Sequence, residues 1–539
     1  QLTVDSSADT APWLSTNTAD LTIGNNVDMG YTSEFSVGGS LDFTLAGNFT
    51  SDYEYSTTLS KFGTNQVTFS GDNSSLYANL EVKSGIVVFT GDHSAGNGML
   101  RLRNFDGADA EALFTSALPV IGGLSGDWAT HVDIGDGTLT IRQIDDGQFD
   151  GVISGSGMLM LNGYDTLTLA GHNTYTGGTT VANGTLAVTS GGKIDHAGSD
   201  LVVGVDEGDE GVLDINKGGT VQVDNATIGQ NFYSWGAVTV DGTGSTLTAG
   251  SALTIGADGD GDFTVSSGGH ASAYGTFVGQ NGYGYLTVSD AGSLLTTTDE
   301  IIIGAFGSGH GYLSIEAGGV VSAGRGSIGY IAAGNATIDG AGSAWNNSGY
   351  LYVGSGGGNG HLVVQNGGVV TSNSGEIGLD NAYGNLVLTG TGSRWDVSTN
   401  INVGHNGGTG ILELIGQSIV NVGSGSGTIT LGVGPGSYGT LMIGESEYSP
   451  DAGVINAGTI TSGGGSALIQ FDTGATKFSP YYLTKDGTSS GTNVQITGSV
   501  TVSNYGGYNV LGGTNTYTGG TVLYGGTLVA ASNNALGTG

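Results

Sequence analysis

The chain has no cysteine, 5 prolines in 539 residues, and 11 lysines and arginines against 47 aspartates and glutamates. Each shortage excludes something. Without cysteine there is no disulfide framework, although a long repeat protein can do without one, so the compartment stays open. Scarce proline, and glycine that does not recur at every third position, exclude a collagen helix. The formal charge of -36 leaves no clustered basic surface to displace counterions from phosphates, so nucleic acid is excluded as a partner. The same sign repels anionic lipid. No apolar run approaches the roughly 20 residues of a membrane-crossing helix, which predicts a soluble chain. It starts at Gln1 with no basic-then-apolar leader, which predicts a processed or excised form.

What the chain has in excess is glycine, at 106 residues, alongside 37 % apolar residues. That apolar share is too high for simple disorder and points to a repetitive fold. Short β-branched or aliphatic runs end in glycine at Gly204, Gly229, Gly256, Gly279, Gly304, Gly329, Gly354, Gly378, Gly404 and Gly432, spaced 23 to 28 residues apart. Two kinds of unit alternate between these marks. One carries a Gly-Gly step, at Gly218, Gly268, Gly318 and Gly367. The other carries a Gly-Ser step followed two residues later by Leu247, Leu295, Trp345 or Trp395. The larger repeat is therefore a pair of units of about 50 residues.

Each unit holds about three short strand-like runs, such as Tyr285 to Val288, Ser293 to Thr297 and Glu300 to Gly304. Runs this short cannot form a useful sheet alone and must stack on the next unit. Alternation in Tyr312-Leu313-Ser314-Ile315-Glu316 gives such a coil an inside and an outside. The expectation is an all-β, right-handed parallel β-helix, with about 25 residues per coil, roughly 20 coils and a length on the order of 100 Å.

Residues 168–188 and 512–529 share the core Asn-Thr-Tyr-Thr-Gly-Gly-Thr, at 173–179 and 515–521. They resemble the passenger-associated transport repeat of bacterial autotransporters. The run Phe149 to Gly157 resembles the approach to that repeat, Val67 to Phe89 is similar to a degraded copy, and 201–445 is similar to passengers of the adhesin and self-aggregation branch. The resemblance implies type V secretion to the surface of a Gram-negative bacterium. It also implies a secretion or folding role for Asn173, Tyr175, Gly177 and Gly178, and for Asn515, Tyr517, Gly519 and Gly520, against the plainer reading of ordinary coils. The C-terminal membrane barrel of that family is expected to be missing from this chain. Four segments follow: irregular coils, a cap or a side knob over 1–150, transport-repeat coils over 151–200, regular paired units over 201–445, and C-terminal coils over 446–539.

Candidate chemistry is thin. No serine-protease elbow occurs, and Gly487 to Gly491 reads as a turn. His270, His310, His361 and His405 read as solvated turn residues without partners at metal-ligand spacing. Asp258, Asp260 and Asp262 imitate the start of a calcium loop, but Phe263 replaces the required glycine and Gly269 the closing glutamate, so this is a weak calcium candidate only. The pair Asp206-Glu207 and Asp209-Glu210 reads as a solvated turn. Over 201–476 only Lys217, Arg325 and Arg394 are basic, too few for a lyase. Near the N-terminus, Arg101 and Arg103 share a face, Ala108 to Leu118 looks helical, and Trp13 and Trp128 add aromatic surface. Binding is assigned to Arg101, Arg103, Trp128, Trp345 and Trp395. No cofactor is expected. The expected function is an adhesin or self-association module, with itself on a neighbouring cell, a host surface protein or a glycan as partner. A polysaccharide-active enzyme and an inert stalk remain the alternatives.

Overall fold

The computed structural model describes residues 2–5, 13–16, 20–29, 34–51, 57–105, 107, 109–445 and 451–538. It is a parallel β-solenoid with about 25 residues per coil. Gly423–Gly425 is the one helical turn among the described residues. The chain divides into two compact units, 1–251 and 252–539, built on the same principle.

In the second unit, Leu286, Leu313, Ala336, Leu362, Leu386 and Leu412 stand in register on successive coils and are buried. Each large aliphatic side chain so placed contributes about 1.5–3 kcal/mol of burial, but only if the coil before and the coil after are present. Strand alternation does the sorting. In Tyr383–Thr389, Gly384, Leu386 and Leu388 point in, while Tyr383, Asn385 and Val387 point out.

Two glycine columns hold the corners. The ten marks from Gly204 to Gly432 all turn at φ between +58° and +76°, a range closed to most side chains. A second glycine, in the following strand, lies against the first: a Cβ on Gly284, Gly334 or Gly360 would collide with the amide nitrogen of Gly279, Gly329 or Gly354. The paired period has its own cause. The Gly-Gly corner leaves an amide pointing along the axis, and the serine of the next unit accepts its hydrogen bond. These pairs are Gly218 to Ser245 (3.1 Å), Gly268 to Ser293 (2.9 Å), Gly318 to Ser343 (3.0 Å) and Gly367 to Ser393 (3.0 Å). All four serines are buried. Gly407 and Ser437 form a fifth pair, at 2.9 Å, outside the sequence pattern.

The first unit opens on the segment expected as irregular coils, a cap or a side knob. Its described strands stack in coils, including a seven-stranded parallel ladder from Leu21–Ile23 to Val152–Ser154. Phe69, Phe89 and Phe114 stack inside it, with ring centroids 5.0–5.7 Å apart, and Phe49 meets Phe69 edge-on at 5.9 Å. The helical reading of 108–118 is corrected. Ala108 lies outside the described residues, and Ala110–Phe114 is a strand that buries Ala110, Ala112 and Phe114. A period of two overrode helix propensity because Phe114 completes the phenylalanine stack. Leu2–Asp5 pairs antiparallel with Trp13–Thr16, which pairs parallel with Glu34–Gly38. This antiparallel pair covers the edge of the strand it joins.

Gly334→Val should lower the urea midpoint strongly, at a cost of about 3 kcal/mol or more, because no neighbouring backbone can yield. Ser343→Ala should cost about 1–2 kcal/mol by orphaning the Gly318 amide. Gly198, where an added methyl would meet nothing within 4 Å, should tolerate alanine. Wild-type stability in Gly334→Val would refute the close-packed corner.

Candidate functional site

The two transport-repeat segments share one geometry that their common sequence motif alone does not disclose. The Asn173 Oδ1 accepts the Ile153 amide (3.0 Å) on the preceding coil, and its Nδ2 donates to the Lys193 carbonyl (3.2 Å) on the following one. Asn515 does the same between the Ile496 amide (2.9 Å) and the Ala535 carbonyl (2.7 Å). Both side chains are buried. One carboxamide thus ties three coils, because its acceptor oxygen and its donor nitrogen are separate atoms that can face opposite neighbours. Two residues on, Tyr175 donates or accepts with Thr179 Oγ1 (2.6 Å), and Tyr517 with Thr521 Oγ1 (2.7 Å). Both rings are wholly buried. Gly177 and Gly519 lie where a Cβ would strike the Gly157 and Val500 carbonyl groups, and Gly178 and Gly520 turn at φ +102° and +84°. Every residue expected to matter in the repeat therefore has a physical task.

Coils here are short. In-register partners lie 20 residues apart at Leu139, Leu159 and Thr179, against 26 between Leu386 and Leu412. The segment similar to a degraded copy carries the same tie: Asn73 Oδ1 accepts the Phe49 amide (2.7 Å), and Nδ2 donates to the Ser94 carbonyl (2.6 Å). Its buried apolar side chain is Leu76, three residues after the asparagine, whereas the repeats have tyrosine two residues after it.

Beside the first repeat, eight residues past its end at Val188, stands His196, which the sequence reading missed because it lies outside the motif. Its Nε2 is 2.9 Å from Thr179 Oγ1, its ring centroid is 5.5 Å from that of Tyr175, and its Nδ1 is buried without a hydrogen-bond partner. Burial pushes the His196 pKa below its ordinary 6.5, against the raising influence of its backbone contacts and of Asp195 and Asp200.

The surface candidates separate into two groups. Arg103 bonds Glu81 (3.3 Å) and Asp127 (3.4 Å), next to Trp128, which is 72 % exposed. Arg101 lies on the same outward face of Met99–Leu102, and Phe105 nearby is 63 % exposed. The Trp13 side chain lies outside the described residues. Trp345 and Trp395, expected to bind, are instead fully buried. Their strand positions point inward, where the Trp345 ring fills space left by Gly326 and the Trp395 ring space left by Gly375. The histidines also depart from the expected solvated turns. His270 and His310 open strands, with His310 stacked on Tyr283 at 5.1 Å, His361 is within Asn359–Gln365, and His405 pairs with Glu376 at 3.0 Å. The calcium candidate does not assemble. Asp258 accepts from Asn281 (2.8 Å), and no grouping of three or more histidine or acidic side chains among the described residues could hold a metal ion.

The nearest approach to a catalytic constellation is Glu300, Arg325, Tyr352, Glu376 and His405 on one face. Arg325 is 3.2 Å from Asp299 and 3.5 Å from Glu300. Burial pushes the Glu300 pKa up. Glu300 and Glu376 stand three coils apart, about 14 Å at ~4.8 Å per coil. Paired glycosidase carboxylates stand within about 5–9.5 Å.

Among known families, the passenger-associated-transport-repeat matches residues 161–188 and 506–530. No curated protein and no solved structure matches the chain. Together with the β-solenoid, the repeats suggest an autotransporter passenger.

Asn173→Ala and Asn515→Ala should each cost about 2–3 kcal/mol, since a buried amide and carbonyl are orphaned together. Hydrogen exchange at the Ile153 or Ile496 amide should accelerate correspondingly; unchanged protection would remove the tie. His196 predicts acid lability. The unfolded chain protonates this side chain below about pH 6.5 while the folded one resists, so stability falls as pH drops from about 7 toward the depressed folded value. His196→Leu should flatten that part of the melting-temperature profile, and an unaltered slope would assign the lability elsewhere.

Proposed function

We propose that the chain is a surface-displayed autotransporter passenger that acts as an adhesin or self-association module. The supporting observation is where the charge lies. On seven successive coils from Tyr283–Ser289 to Tyr438–Ile443, the first three outward positions of each strand form a face of 21 residues. Only Glu413 is charged among them, in a chain of net charge -36. The rest are Tyr, His, Asn, Thr, Ser, Ala, Val, Ile and Met, while Glu316 and Asp339 close two of the strands at the fourth outward position and acids such as Asp258, Asp290 and Asp380 stand at turns. Two like-charged copies can meet through this face with few carboxylates brought together, and a ladder repeating every ~4.8 Å offers many weak contacts at once. A second copy on a neighbouring cell is the favoured partner, and a host surface protein or glycan the other. The exposed Trp128 and Phe105, beside Arg101 and Arg103, favour a further contact in the N-terminal coils.

Cells displaying the chain should aggregate, and Tyr285→Asp with Val363→Asp should suppress it by placing carboxylates on the face. Aggregation that persists in this double variant but fails in cells displaying only residues 150–539 would move the contact to the N-terminal coils. Association should also strengthen as pH falls toward about 4. Burial holds the Glu300 and Glu413 pKa values above their ordinary range, so these two neutralise early. Light scattering that is flat between about pH 7.5 and 4 would count against charge as the barrier.

A further inference from the structure

We infer that the groove beside Tyr438 is a subsite for a neutral glycan. The inference rests on the adhesin reading only for where such a glycan would be met. The groove, about 470 Å³, is lined by Tyr438, Thr440, Ser466, Leu468, Ser499 and Thr501 together with backbone. Its walls are one aromatic ring, an aliphatic side chain and four hydroxyls, and no lining side chain is charged. In a chain with 47 acids such a site excludes nothing neutral but offers no cation for a carboxylate or sulfate. The chemistry selects a ligand rich in hydroxyls and uncharged.

Tyr438 differs from Tyr283, the exposed tyrosine at the start of its column. Tyr283 is covered by His310, with ring planes 12° apart. The in-register neighbours of Tyr438 are Thr409 and Ser466, too short to cover an aromatic ring, and the side chain is 57 % exposed. Its face is open to the C–H groups of a pyranose, which carry partial positive charge toward the negative ring face. The hydroxyls line the same groove on the coils that follow. Thr501 Oγ1 donates to the Gly519 carbonyl (3.1 Å), and Ser499 Oγ is 3.4 Å from Thr518 Oγ1, so both are held in place with acceptor lone pairs left for a ligand. Thr440, Ser466 and Thr501 belong to three consecutive coils, a span of about 10 Å, enough for roughly two sugar units.

The test is calorimetric titration and saturation-transfer NMR of the purified chain with cellohexaose and mannohexaose, and with a sulfated hexasaccharide as the charged counterpart. A neutral hexasaccharide should bind with a dissociation constant of about 1 mM, Tyr438→Phe within about threefold of wild type, and Tyr438→Ala at least about tenfold weaker. Ser466→Tyr, which fills the groove from the opposite side, should weaken binding equally and guards against a folding defect in the alanine variant. Binding of the sulfated probe alone, no binding of either neutral probe, or wild-type affinity in both Tyr438→Ala and Ser466→Tyr overturns the subsite. Because no cells are involved, failure of displayed cells to aggregate leaves this result untouched, and failure here leaves aggregation untouched.

Discussion

Everything in each unit depends on coil-to-coil register. A single coil buries no core, since its inward side chains have company only on the coils before and after it, and its backbone ladder is satisfied only by the same neighbours. A slip of one residue would exchange inside for outside along a whole strand. The glycine columns are the device that forbids this. A corner glycine in the left-handed region is backed by a second glycine whose missing side chain lets one coil's backbone touch the next. The fit is backbone against backbone, so it admits one register and no compromise.

Hydrogen bonding along the axis adds a second layer of specification. The serine of one unit completes the glycine corner of the preceding unit, which is why the sequence repeats in pairs while the coil repeats singly. In the transport-repeat coils the same job passes to asparagine, which reaches two neighbours at once. The tyrosine and threonine beneath it fill the narrower interior of a coil of about 20 residues.

The glycine marks, the alternation of Gly-Gly with Gly-Ser and the inward aliphatic positions were legible in the sequence because they are local and periodic. The motif Asn-Thr-Tyr-Thr-Gly-Gly-Thr was legible as a resemblance, and its two copies coincide with the matched segments. Side-chain direction was harder. Trp345 and Trp395 look like binding residues by type, yet the parity of the strand turns them inward. The run from Ala110 has helix-forming composition, and only the phenylalanine stack of neighbouring coils shows that it is a strand. His196, Asn73 as a tie, and the groove at Tyr438 all depend on which residues meet between neighbouring coils 17 to 33 positions apart. No single window of sequence displays such a distance.

The asparagine ties change how such a stack comes apart. A solenoid coupled only between neighbours can shed its outermost coil and then the next, each step costing about the same. Where one buried carboxamide spans three coils, removing the outer one strands a donor in the middle one, so loss of a coil there is not independent of the next. Fraying should run freely through coils without a tie and stall at Asn73, Asn173 and Asn515. These positions are natural fragment boundaries under protease or under pulling force, and the chain between them is the more expendable part.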